Sequence, residues 1–92
     1  MAKFSDYFQK PKPIIGMIHL PPLPGYAKTK GIDHAISHAV AYLRVLEECG
    51  VDGVLVENEY DRPHRVSAAP ETIAAMTRIT RAVVQESDSI VV

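Results

Sequence analysis

An imidazole and a carboxylate stand at the ends of two apolar runs in this sequence: His19 closes Ile14–Leu20 and Glu57 closes Asp52–Glu57. In a parallel β/α barrel, functional groups gather at the carboxyl ends of the strands, so these are the candidate catalytic residues. Adjacent strands lie about 4.8 Å apart, close enough for the two side chains to hydrogen-bond if they leave the sheet on the same face. A carboxylate beside an imidazole suits acid/base catalysis or metal ligation. The plainer alternative is that each merely satisfies the other at the rim of a core. The functional reading is preferred because ionisable groups ending buried strands cost free energy unless they are paired or used.

Asn58, Asp61, Arg62 and His64 follow Glu57 directly and are expected to add substrate-binding polar groups above the same mouth, although each alone would be an ordinary solvated loop residue. His34 and His38 have the i, i+4 spacing of a helical metal pair, but position 35 is Ala, so the zinc-protease pattern is absent. Both are expected to be solvated and to point away from the mouth. No metal site is assigned, and no Ser or Cys sits in a nucleophile-elbow motif.

The elements that must position these groups follow from local pattern. Residues 1–13 read as an irregular opening segment restricted by Pro11 and Pro13, with Phe4, Tyr7 and Phe8 able to form one helical turn that covers a barrel end. Ile14–Leu20 is a near-continuous apolar run, as expected of a parallel strand buried on both faces. The proline-rich stretch from Pro21 to Gly25 ends it as a stiff loop.

Asp33 is the expected N-cap of a helix running to Glu48 and stopped by Gly50 in a left-handed conformation. Its apolar face is Ile32, Ile36, Ala39, Val40, Leu43 and Leu46. Asp52–Glu57 is the second strand. Pro70 opens a second helix with Ile73, Met76, Ile79, Val83 and Val84 on one face, and Ile90-Val-Val92 begins a third strand. The order β-α-β-α-β with short connections indicates parallel units with right-handed crossovers over residues 14–92.

Several classes are excluded. The turn after the first strand has one glycine and three prolines, so the dinucleotide fingerprint is absent, as is a P-loop, and no cofactor is assigned. With 47% hydrophobic and 23% charged residues the chain is not disordered, and a net charge of −1 without a basic stripe argues against nucleic acid. No run approaches the about 20 apolar residues of a membrane span, so any membrane association would be peripheral. A small-molecule ligand is the expected partner, self-association stays open, and Cys49, unable to pair internally, is expected to be a small buried hydrophobe in a reducing cytoplasm.

The stretch Gly16-Met-Ile-His-Leu-Pro-Pro-Leu-Pro-Gly25 resembles the opening motif of the BtpA/SgcQ family of barrel proteins. Val51–Asn58 resembles its second strand, with Glu57, Asn58, Asp61 and Pro63 in the pattern Glu-Asn-x-x-Asp-x-Pro, and Pro70–Met76 resembles its next helix start. The resemblance covers nearly everything from Lys12 onward. It implies an α/β fold, a (β/α)8 TIM barrel of the ribulose-phosphate-binding type, of which this chain would hold the first two βα units and the start of the third strand. A complete barrel takes about 250 residues, so a chain of this length would leave sheet edges and apolar side chains open and tend to aggregate.

Family members are linked to photosystem I biogenesis in cyanobacteria or lie among sugar-uptake genes, and most have no established reaction. The resemblance therefore leaves two functions open. One is a metabolite-binding protein or enzyme acting on a small phosphorylated or sugar-derived substrate; the other is a non-catalytic biogenesis or stability factor for a membrane complex such as photosystem I.

Overall fold

The computed structural model describes residues 3–58, 60–61, 69–87 and 91–92. Five elements follow in order: α1 (Phe4–Tyr7), β1 (Ile15–His19), α2 (Ile32–Glu48), β2 (Gly53–Glu57) and α3 (Pro70–Glu86). The strands run parallel in the register Ile15↔Gly53 through His19↔Glu57, and the Leu20 N–H extends the ladder by donating to the Glu57 carbonyl at 3.0 Å. Val91 pairs in parallel with Gly53 on the edge of β2 away from β1, where the Val54 N–H donates to its carbonyl at 2.8 Å. Ile90, expected to start that strand, lies outside the described residues.

Alternation along β1 and β2 sorts the side chains onto two faces. Ile18 and Val54 are buried beneath the helices, in a core with Leu20, Leu23, Ala35, Ala39, Leu43, Ala75, Ile79 and Val83. Gly16 lets α2 approach, because a Cβ there would stand 3.0 Å from the Leu46 methyls. The opposite face, carrying Ile15, Met17 and Leu55, is open to solvent, so these strands are covered on one side only rather than on both.

Local expectations hold at Pro70, which opens α3, and at Gly50, with φ +84°. Others are corrected. The N-cap of α2 is Gly31, at φ +93°, and Asp33 sits in the first turn, where its charge still suits the positive end of the helix dipole. Cys49 is exposed, because it caps α2 beyond the last turn that faces the sheet. On α3 the buried stripe is Thr72, Ala75, Ile79 and Val83, while Ile73 and Val84 are exposed: packing against α2 selects a stripe rotated from the one apolar content alone suggested. No helix among the described residues is long and apolar enough to cross a membrane.

The opening segment closes the N-terminal end of the sheet. The Phe8 ring lies against Gly53, where an added Cβ would stand 3.3 Å from its Cε1, and the Phe4 ring packs against Phe8 at a tilt of 40° with centroids 5.1 Å apart. Asp52 fastens this end. Its Oδ2 accepts the Ile14 N–H at 2.9 Å, and Lys10 Nζ lies 3.3 Å from Oδ1. That backbone hydrogen bond, opposed by desolvation and assisted by Lys10, holds the Asp52 carboxyl below its ordinary value of 3.8.

A carboxyl whose folded value is depressed contributes stability that is fully present above its unfolded value and is lost as pH falls through the folded one. Asp52→Asn should therefore lose less stability than the parent as pH drops below about 4, with parallel profiles above about pH 5. Denaturation midpoints across that range check this, and identical acid limbs would refute it.

Candidate functional site

Strand register brings the two candidate groups together. His19 and Glu57 are direct partners at the C-terminal ends of β1 and β2, and both leave the sheet on the face opposite the helices. His19 Nδ1 stands 2.9 Å from Glu57 Oε1, with side chains 42% and 33% exposed. The approach is short but poorly directed, so the solvent-shielded Nδ1 makes no hydrogen bond. A shielded ring nitrogen left in that condition is uncommon and calls for a functional or structural reason.

The loop after β2 divides. The Asp61 N–H donates to the Asn58 carbonyl at 3.2 Å and closes a tight turn. Asp61 is 1% exposed, not solvated as a loop acid usually is, because its carboxylate is engaged from two sides. Oδ1 accepts the Leu23 N–H at 2.8 Å and Oδ2 accepts the Asn58 amide at 2.9 Å. Leu23 belongs to the proline-rich loop after β1, where Pro21, Pro22 and Pro24 have no N–H of their own to give. One carboxylate thus ties the two loops of the mouth together. Arg62 and His64 lie outside the described residues.

Two participants were not anticipated. Tyr60 places its ring edge-on to His19, with centroids 6.2 Å apart. His38 is not a solvated surface group turned from the mouth: it is half-buried, and its Nε2–H donates to the His19 carbonyl at 3.0 Å. Its ring stacks on Tyr42 at 4.5 Å. The helical wheel held the signal, since His38 lies about 60° from Ala35 and so borders the buried stripe. His34 is exposed, as expected, with its ring 6.4 Å from that of His38. Among the described residues no cluster of His, Cys, Asp or Glu has the makings of a metal site.

This arrangement can hold a proton at His19, orient the ring through Glu57, and fix the His19 backbone through His38. Comparison with known proteins places it in a lineage. The profile of the BtpA family matches residues 10–91. An uncharacterized protein of Methanocaldococcus jannaschii is 42% identical over 78 residues, 84% of this chain and 30% of that protein. The sgc region protein SgcQ of Escherichia coli is 39% identical over 82 residues, 86% of this chain and 31% of its own length. The photosystem I biogenesis protein BtpA of Synechocystis is 39% identical over 74 residues, 78% of this chain and 26% of its own length. The chain thus spans less than a third of each of these relatives. No solved structure matches it.

Proposed function

Since the chain belongs to the BtpA family, we propose that it supplies the first two βα units of a (β/α)8 barrel whose mouth binds and transforms a small phosphorylated or sugar-derived molecule. The supporting observation is the His19–Glu57 pair: register partners on parallel strands, side chains 2.9 Å apart, at the end of the sheet where barrels place their chemistry. His19 acts as the proton donor and acceptor, and Glu57 orients its ring and balances its charge. Catalytic hydrogen bonds are commonly misaligned before a ligand arrives, which accounts for the unpaired Nδ1. Asn58 borders the mouth, Arg62 and His64 are assigned to substrate binding from the sequence alone, and Asp61 serves the mouth by holding the loops.

A second reading, a non-catalytic factor in assembly of a membrane complex, is favoured by the name of the Synechocystis relative. The two separate in a polypeptide that carries this segment in its complete barrel. His19→Ala and Glu57→Gln, screened by calorimetry against a set of sugar phosphates, should each weaken binding at least about tenfold, a loss of 1.4 kcal/mol, with the thermal midpoint nearly unchanged. Undiminished binding in both variants refutes the catalytic mouth. Unchanged binding together with loss of photosystem I accumulation in a cyanobacterial host supports the assembly role.

A further inference from the structure

We propose that the loops following β1 and β2 form a second subsite, adjoining the His19–Glu57 pair, that takes the oxyanion group of a small ligand against Lys28. A cavity of about 140 Å³ opens there, lined by Pro22, Tyr26, Ala27 and Lys28 from the first loop and by Tyr60 from the second. Pockets for whole small molecules span about 300–1,000 Å³, whereas a water occupies about 30 Å³ of liquid. The space therefore suits one functional group, not an entire ligand.

Among the described residues of the lining, Lys28 is the one that carries a charge. The other described walls are tyrosine rings, a proline and an alanine, none of which carries a charge. Glu57 and Asp61, the described carboxylates of the mouth, are held elsewhere: the first lies against His19, and the second accepts from Leu23 and Asn58. An ammonium serves phosphate or carboxylate as a point charge. The ligand chemistry is therefore an oxyanion, from a sugar phosphate or a sugar acid.

The cavity is organised in advance. Successive turns, Tyr26 N–H to the Leu23 carbonyl and Thr29 N–H to the Tyr26 carbonyl, both at 3.1 Å, set the course of the first loop. The Asp61 bond to the Leu23 N–H at 2.8 Å fixes that loop relative to the one bearing Tyr60. Walls already in place lower the ordering cost of binding. Tyr60 is also the shared partition, with its ring 6.2 Å from that of His19. A ligand anchored at Lys28 and lying along Tyr60 presents its far end to His19 and Glu57. Only this alignment rests on the function proposed above; the subsite stands without it.

The probes are inorganic phosphate and acetate, each small enough for the cavity and too small to span both sites. Titrated into a polypeptide that carries this segment in its complete barrel and followed by backbone amide shifts, at least one should bind saturably and move the signals of Ala27, Lys28 and Tyr60. Lys28→Met should weaken that binding at least about tenfold, and Lys28→Arg should retain it. Binding of phosphate alone assigns a phosphorylated ligand, and binding of acetate alone assigns a carboxylic acid. His19→Ala and Glu57→Gln should leave either probe's affinity unaltered, so loss of the subsite and loss of the catalytic mouth are read separately. Equal affinity in Lys28→Met and the parent, or shifts confined to other residues, overturns the proposal.

Discussion

Asp61→Ala should destabilise the protein by about 2–3 kcal/mol, because it strands a buried backbone N–H and releases a side-chain amide in one step. Asp61 is 1% exposed, and its Oδ1 is the acceptor that the buried Leu23 N–H uses at 2.8 Å. Hydrogen bonds to charged groups contribute about 1.5–3 kcal/mol, and an unsatisfied buried donor costs a similar amount, so the effect is near the upper range for one polar residue.

Asp61→Asn separates the hydrogen-bonding role from the charge. Its amide oxygen can still accept from Leu23, and Asn58 can turn its own amide to meet the new NH₂, so the cost should fall to about 1 kcal/mol. Chemical denaturation of the three proteins measures this order. A cost below about 0.5 kcal/mol for Asp61→Ala would place that residue with ordinary surface substitutions and refute its role as the tie between loops.

The open face of the sheet carries the second large effect. Met17 and Leu55 are register partners, 37% and 53% exposed, with Ile15 beside them. Exposed apolar surface on a sheet with unpaired edges promotes association. The 92-residue chain by itself should therefore self-associate, and Met17→Thr with Leu55→Thr should shift it toward monomer in sedimentation or light scattering.

In a longer polypeptide whose further strands close a barrel over that face, the same pair of substitutions should act in the opposite direction. It should cost about 2–5 kcal/mol, as expected when buried apolar groups are removed and polar ones introduced. Opposite signs in the two settings would identify this face as a barrel interior. The same sign in both would show that nothing covers it and remove the barrel reading.

Strand and helix positions were legible in the sequence because each is set by local rules. The apolar runs around Ile18 and Val54, Pro70 at a helix start and Gly50 at a helix end all follow from backbone chemistry and periodicity. So did the meeting of His19 and Glu57, since parallel strands with matched ends and side-chain alternation leave them one face to share. The buried stripe of α3 was not legible. Ile73 and Thr72 are neighbours in sequence, and only contact with α2 decides which is covered.

What the linear order determined was which groups reach the rim, because side-chain direction along a strand is a property of the strand itself. What the tertiary structure alone decided was how those groups are held. Asp61 became a buried tie between two loops, and His38 became a support for the His19 backbone, through contacts 38 and 19 residues apart in the chain. Such contacts depend on the approach of separately formed elements, and the residues at either end carry no local signature of their partner. A polar side chain reads as solvated until the fold brings a donor or acceptor to it.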